Sequence, residues 1–266
     1  MRASGKQLKP TNPSTASRIR DALAFDLDAR RRAGTWEDAL RAFIEQAEEA
    51  GILVMRNGVV GNNTHRPLDP GEFRGFTLAD PLAPVVFVNG ADTKSGQMFT
   101  LAHELVHVWT GQTGLGDEDP RVLDLAGPEA WCDAVAAELL VPAVVMRQTF
   151  DPTQPLENEI RRLARRFKVS TLVILRRALD IGALSRPAFW RAYDSELERL
   201  RALGDRGAGG GNFHFTEAAR VSRRFGRALV TSTLEGQTLY RDAFRMLGIS
   251  KWETFRDFGQ TIGVAV

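Results

Sequence analysis

Residues 101–111, LAHELVHVWTG, contain two of the four histidines of the chain, four residues apart, with a glutamate directly after the first. In an α-helix, residues i and i+4 share one face and lie about one turn apart, roughly 6 Å along the axis. His103 and His107 can then reach one metal ion through their ring nitrogens. Glu104 is offset by about 100° from His103, so it suits a general base better than a third ligand.

This division of roles is suited to hydrolysis of a peptide bond. Zinc held by three protein ligands keeps one position open and can lower the pKa of a water molecule to about 7. A carboxylate beside it can take a proton during attack on the carbonyl and deliver it to the leaving amine. The alternative is that the histidines are only buried and hydrogen-bonded. Their apolar neighbours on nearly all sides favour the metal site, because burial of unpaired imidazole and carboxylate groups is costly.

The third ligand is expected on a helix that packs against the first. GPEAWCDAVAAELLVP has a proline near its start and another at its end, as expected for a complete helix. We predict Glu129 as the third zinc ligand and Asp133, one turn on, as the acceptor that orients a ligand imidazole through its other N–H. Glu138 is the competing choice. It lies about 180° around the helix from Glu129, so both cannot face the metal.

The elements before the histidine motif are predicted from periodicity and turn residues. A packing helix begins after the N-cap Thr35 and ends at Gly51. Apolar runs at residues 52–55 and 59–60 flank Arg56-Asn57-Gly58, which predicts a hairpin. With RGFTLAD and PVVFVNG, the pattern indicates three or four short antiparallel strands between residues 52 and 90.

The rest of the chain is predicted to be mostly helical. A helix runs from about Ser95 to Thr110 and ends at Gly111, and GQTGLGDEDP is a loop by composition. After Pro142 the pattern is helical, interrupted by GDRGAGGGNF, which indicates a flexible connection. Near the N-terminus, a helix is expected to begin near Arg18, after a polar, turn-like start.

Composition points to an ordinary globular protein. The chain has 266 residues, 43% of them hydrophobic, and a formal net charge of only +2, so the overall charge calls for neither nucleic acid nor membrane as a partner. It has one cysteine, and its first residues lack the apolar core of a signal peptide. No apolar run is long enough to span a bilayer. We therefore expect a cytoplasmic protein that does not bind membranes.

Four segments of the sequence resemble the ImmA/IrrE family of HExxH metallopeptidases: RGFTLAD, PVVFVNG, MFTLAHELVHVW and EAWCDAVAAELLVP. The resemblance implies that His103, His107 and Glu129 bind zinc and that Glu104 is catalytic. It departs from the family at Cys132, Asp133 and Val135, where alanine, asparagine and phenylalanine are more usual. A glutamate followed four residues later by aspartate resembles the arrangement in thermolysin-like, or gluzincin, enzymes.

The resemblance implies an α+β, zincin-like domain with a small antiparallel sheet and an active-site helix, followed by a helical C-terminal region. An edge strand of that sheet is expected to hold an extended peptide by strand addition. We divide the chain into an N-terminal extension with a helix (1–34), the peptidase domain (35–150), a helical, helix-turn-helix-like subdomain (151–206) and a helical tail (207–266). The family's activity implies limited proteolysis of a transcriptional repressor in mobile elements, stress responses or toxin-antitoxin modules.

LARRFKVSTLVILRRALDIGALS also resembles a helix-turn-helix. Seven basic side chains in this segment or directly before it could contact phosphates: Arg161, Arg162, Arg165, Arg166, Lys168, Arg176 and Arg177. The interpretation that we favour is a helical subdomain that packs on the peptidase, so DNA is not the favoured partner.

We predict a zinc endopeptidase acting on a helix-turn-helix repressor or antitoxin-type regulator. The alternative is a DNA-binding or sequestering regulator with a structural or vestigial metal site. Tyr193, Tyr240, His65 and His214 are the candidates to stabilise the oxyanion, and the sequence does not choose among them.

Overall fold

Helices dominate the computed structural model, which describes residues 13–61, 63, 65–116, 127–204 and 220–266. The elements before the histidine motif are α1 (Pro13–Ala22), α2 (Leu27–Arg32), α3 (Trp36–Glu49), β1 (Leu53–Asn57), β2 (Gly75–Leu78) and β3 (Val85–Asn89). The motif lies on α4 (Lys94–Thr110), which is followed by β4 (Gly114–Gly116), α5 (Pro128–Leu140) and α6 (Ala143–Thr149). The C-terminal helices are α7 (Leu156–Phe167), α8 (Thr171–Asp180), α9 (Arg186–Gly204), α10 (Arg223–Leu234), α11 (Tyr240–Leu247) and α12 (Trp252–Thr261).

The four strands form one mixed sheet in the order β1-β3-β2-β4. β2 runs antiparallel to both of its neighbours, whereas β1 pairs with β3 in parallel. The predicted α+β fold, with a small sheet, an active-site helix and a helical C-terminal region, is confirmed. The sheet itself differs from the prediction, because it is mixed and not wholly antiparallel.

The hairpin predicted around Asn57-Gly58 is wrong. Asn57 pairs with Asn89 at the ends of the parallel strands, and beyond it Val59 forms an isolated bridge with Pro67. Gly58 is needed there for a close approach: a Cβ on it would lie 2.8 Å from the backbone nitrogen of Ala91. The Asn-Gly pair therefore allows two strand ends to pack, and it does not form a two-residue turn.

Two boundaries also differ from the predictions. Helix α1 begins at Pro13 and not near Arg18. GQTGLG was predicted as loop, but it contains β4, in which Leu115 pairs with Phe76 of β2. The residues that follow, 117–126, lie outside the described part of the chain, as does the predicted flexible connection from residue 205 onward.

The predicted helices around the histidine motif form, and their ends follow the local chemistry. Thr35 caps α3 by accepting a hydrogen bond from the backbone N–H of Asp38, and Gly111 ends α4 in the left-handed conformation, with φ 68°. Pro128 occupies the first turn of α5, where its missing N–H is not needed.

The described residues form two hydrophobic cores. The larger core joins helices from α1 to α9, with Ile19, Leu101, Leu139 and Phe189 all completely or nearly completely buried. The smaller one belongs to α10–α12 and is built from Leu229, Val230, Ala243, Leu247, Phe255 and Ile262. The predicted domain boundaries stay a prediction, although α1 shares its core with α4. Among the described residues, no helix has the length and apolar character needed to cross a bilayer.

Candidate metal centre

Helix α4 carries the histidine motif through the centre of the larger core. It begins after the cap Thr93, whose hydroxyl accepts a hydrogen bond from the N–H of Gly96 at 3.1 Å. Gln97 donates to the carbonyls of Gly90 and Asp92 at 3.1 and 2.6 Å, which ties the helix to the end of the sheet. Most of the helix from Gln97 to His107 is buried. The motif is therefore held by packing on several sides.

The two histidines and Glu129 converge on one point. The Nε2 atoms of His103 and His107 lie 3.0 Å apart, and each lies 3.2 Å from Oε2 of Glu129. Glu129 is in the first turn of α5, directly after Pro128, so the start of that helix faces the ring nitrogens. The three groups each offer one ligand atom, and all of these atoms lie within 4.8 Å of one another.

Asp133 lies one turn after Glu129 on α5, and its Oδ1 is 2.9 Å from Nδ1 of His103. A carboxylate at that position accepts the Nδ1–H, which leaves a lone pair on Nε2 pointing at Glu129. The structure thus brings His103, His107, Glu129 and Asp133 into direct contact, and Glu104 lines the same cavity as His103 and Asp133.

The convergent atoms need a cation or a hydrogen-bonding proton between them. Two ring nitrogens and a carboxylate oxygen that face each other at 3.0–3.2 Å repel unless a cation or a proton lies among them. Burial alone would lower the pKa of His103, but Asp133 and Glu129 outweigh it and raise that pKa to about 10. Burial and the charge of His103 lower the pKa of His107, and the His103 side chain lowers that of Glu129. Two imidazole nitrogens and one carboxylate oxygen are ligand atoms of the kinds that zinc binds in proteins, so this group of residues fits zinc.

Glu104 is turned toward strand β2. The Thr77 hydroxyl lies 2.7 Å from Oε2 of Glu104 and 3.0 Å from its backbone carbonyl oxygen. Burial raises the pKa of Glu104, and His103 and Thr77 partly offset that rise. Thr77 thus holds one oxygen of the Glu104 carboxylate, Oε2.

Gly75 lets β2 come this close to α4. A Cβ on Gly75 would lie 2.6 Å from Cγ2 of Thr100 and 2.7 Å from the backbone oxygen of Phe87. Sequence reasoning used RGFTLAD as a motif but gave neither Gly75 nor Thr77 a role. The available signal was the alternation of the strand, which places a glycine and a polar threonine on its buried face.

Glu138, the competing choice for third ligand, lies away from the histidines. Its carboxylate pairs with the guanidinium of Arg177 and accepts a hydrogen bond from the N–H of Ala143 at 3.1 Å.

Of the oxyanion candidates, Tyr193 is buried and lines a cavity together with His103 and Glu104. His65 is exposed, Tyr240 lies on α11, and His214 lies outside the described residues.

The predicted helix-turn-helix segment forms two helices, α7 and α8, joined by a short turn with Lys168 in the left-handed conformation. Two of its seven basic residues are buried and cannot contact phosphates as they lie. Lys168 is placed over the ring of Trp36, with 5.1 Å from Nζ to the ring centroid, and Arg177 binds Glu138. Both positions support a packing role for this segment.

Comparisons with known protein families match two regions of the chain. The family model of a peptidase family, described as IrrE N-terminal-like domain, matches residues 47–179, half of the chain, and includes every residue of the candidate centre. A second model, described as a domain of unknown function, matches residues 221–261, which include α10–α12. No curated protein matches the chain.

Proposed function

This chain belongs to the peptidase family of the IrrE N-terminal-like domain, and we propose that it is a zinc-dependent endopeptidase. His103, His107 and Glu129 would hold the metal. The observation that carries the proposal is the convergence of their three ligand atoms within 4.8 Å inside a family of peptidases. A structural zinc site usually has four protein ligands, and the described residues of this group offer three.

The remaining residues of the centre have roles that follow from their contacts. When bound, zinc would polarise the scissile carbonyl and lower the pKa of the attacking water. Glu104 would accept a proton from that water at Oε1 and deliver it to the leaving nitrogen. Thr77 holds the other oxygen of Glu104, which fixes the carboxylate, and Asp133 keeps His103 in the tautomer that offers Nε2.

The substrate that we propose is a transcriptional repressor or antitoxin-type regulator with a helix-turn-helix, cut at a limited number of bonds. Support for this comes from the family resemblance of the sequence. The alternative is a regulator that acts by binding DNA or sequestering a partner, with a metal site that has no catalytic role. Glu104 argues against that alternative, because a structural site does not need a base beside it.

The test compares wild type with Glu104→Gln. Both proteins are purified, their zinc content is measured by mass spectrometry, and each is incubated with the regulator encoded beside its gene. We expect about one zinc per chain in both proteins, and a loss of cleavage of about 10²- to 10⁴-fold in the variant, the usual contribution of a general base. Glu253→Gln makes the same change at an exposed position of α12 and should leave cleavage unchanged.

Undiminished cleavage by Glu104→Gln would refute the mechanism. A shift of promoter DNA by the wild-type protein that persists with a chelator, together with no cleavage, would favour the DNA-binding alternative.

A further inference from the structure

A cavity of about 780 Å³ lies between the metal centre and the helices that follow it. Its peptidase side is lined by His103, Glu104 and Asp133, and its far side by residues of α7, α8 and α9. The volume is within the usual range of ligand pockets, about 300–1,000 Å³. Of the three proposed metal ligands, His103 is the one that lines the cavity, and Glu104 lines it too. The cavity therefore offers room for a substrate segment next to the candidate centre.

The two sides of this cavity differ in charge. The carboxylates that line it, Asp92, Glu104 and Asp133, all belong to the peptidase side. That side also contributes Arg74, which lies 3.8 Å from Asp92 and pairs with it. Among the described residues, the far side contributes no carboxylate and five arginines, which we call the arginine wall: Arg161, Arg165, Arg176, Arg199 and Arg201.

Three of these arginines already have acidic partners outside the lining. Arg161 lies 3.4 Å from Glu157, Arg176 lies 3.1 Å from Asp180, and Arg199 binds Glu196 through two nitrogens. Arg165 and Arg201 are exposed, and within the described part of the chain neither has a carboxylate at ion-pair distance. Within the described residues, the arginine wall thus keeps positive charge that no carboxylate neutralises.

Both sides of the cavity also carry large apolar side chains. They include Trp36 and Phe99 on the peptidase side and Leu172, Val173, Leu197 and Leu200 on the far side. An occupant that fits this lining has apolar groups throughout and negative groups toward the far side. A continuous polyanion fits less well, because Asp92, Glu104 and Asp133 would repel the part of it that approaches the metal centre.

We propose that this cavity receives the substrate beside the scissile bond and selects a segment that combines apolar and acidic side chains. The proposal rests on the proposed peptidase function. Arginine suits this task because its planar guanidinium binds a carboxylate through two parallel hydrogen bonds. Arg165 and Arg201 supply the donors that the fold leaves without a carboxylate among the described residues.

The test measures binding, so it does not depend on cleavage. A short fluorescein-labelled peptide rich in leucine and glutamate is titrated with the zinc-loaded protein, and the anisotropy is compared with that of an analogue in which glutamine replaces each glutamate. We expect the acidic peptide to bind about tenfold more tightly at low salt, and this preference to shrink as salt is added.

The variant that tests the arginine wall is the double substitution Arg165→Glu with Arg201→Glu. Because both side chains are exposed, we expect it to fold, which circular dichroism and zinc content check. It should lose the preference for the acidic peptide. The matched control is Arg191→Glu, which changes an exposed residue of α9 outside the cavity lining and should keep the preference.

Equal binding of the two peptides, or an unchanged preference in the double variant, would overturn the proposal. It would also be overturned if a single-stranded oligonucleotide displaced the acidic peptide and bound more tightly through Arg165 and Arg201. Cleavage that depends on Glu104 but shows no preference for acidic peptides would contradict this selectivity and leave the peptidase proposal intact. Selective binding without any cleavage would contradict the peptidase alone.

Discussion

Thr77 provides a sharp test of how the centre positions the proposed base, Glu104. Its hydroxyl lies 2.7 Å from Oε2 of Glu104, and Thr77 itself is completely buried. Thr77→Val keeps the branched shape on the strand and removes only the hydroxyl. Because the side chain cannot reach a substrate, we expect the substitution to act on Glu104 alone.

The size of the effect follows from the strength of the lost bond. A hydrogen bond to a charged group contributes roughly 1.5–3 kcal/mol, and each 1.36 kcal/mol is tenfold in rate. Because the bond exists before substrate binds, its loss slows the reaction only through the free energy needed to return Glu104 to its reactive orientation. If that free energy equals the strength of the bond, Thr77→Val should lower kcat by roughly 10- to 100-fold. KM should change little, since substrate contacts are untouched. The assay is steady-state cleavage of the adjacent regulator, with zinc content and urea unfolding measured on the same preparations.

Thr77→Ser is the matched control, because it keeps a hydroxyl that can donate to the carboxylate. It should recover most of the lost rate. The reasoning is refuted if Thr77→Val cleaves at the wild-type rate while folded and zinc-loaded, or if the serine variant loses as much as the valine variant. A rise in KM with unchanged kcat would also contradict it, since that result would place Thr77 at the substrate.

Three further changes probe other contacts. Asp133→Ala removes the acceptor of the His103 Nδ1–H and should weaken zinc binding about 10- to 100-fold in competition with a chromophoric chelator; equal affinity in the variant would contradict the orienting role. Arg177→Met leaves the buried carboxylate of Glu138 without its cation and should lower the free energy of unfolding by about 3–5 kcal/mol in urea; a loss smaller than about 1 kcal/mol would contradict a stabilising role for this ion pair. Burial raises the pKa of Glu48 above its usual 4.5. The native state therefore binds the carboxyl proton of Glu48 more tightly than the unfolded state does, and its stability falls as the pH rises from 4.5 through the raised pKa. Glu48→Gln should therefore gain stability relative to wild type between low and neutral pH, and a difference in unfolding free energy that is constant with pH would refute the shift.

Much of the centre could be predicted because its residues are close together along two helices. His103 and His107 share a face of α4 by helical spacing, and Glu129 and Asp133 share a face of α5 for the same reason. The ends of both helices are also encoded locally, by Gly111 and Pro128. The sequence could therefore indicate which side chains face the same way, before anything was known of how the two helices pack.

The contributions of the sheet were not predictable in the same way. Thr77 meets Glu104 across 27 positions of sequence, and nothing local to either residue reports that contact. Asn57-Gly58 carries a strong hairpin signal, but its glycine is used for the close approach to Ala91, so long-range packing overrides the local preference. β4 pairs with β2 through its backbone. Two of its three residues are glycines, so it has no alternation of side chains from which a strand could be predicted.

The position of Glu129 depends on segments far from the histidine motif. Helix α5 carries Glu129 in its first turn, and it has no basic residue in its last turn to satisfy its final carbonyls. Three arginines from other helices do so: Arg20 of α1 donates to the carbonyl of Glu138 at 2.7 Å, Arg30 of α2 to that of Leu140 at 3.2 Å, and Arg177 of α8 to that of Val141 at 2.9 Å.

Cations at a helix C-terminus are favourable by about 0.3–1 kcal/mol each, and buried charge-assisted hydrogen bonds to the carbonyls add to this. Because a helix is nearly rigid along its length, fixing the C-terminal end of α5 also restricts where Glu129 and Asp133 can lie relative to α4. Two of the three donors, Arg20 and Arg30, precede residue 47, where the match to the peptidase family begins. Helices α1 and α2 are therefore part of what holds the candidate metal centre in place, although they contribute no residue to it.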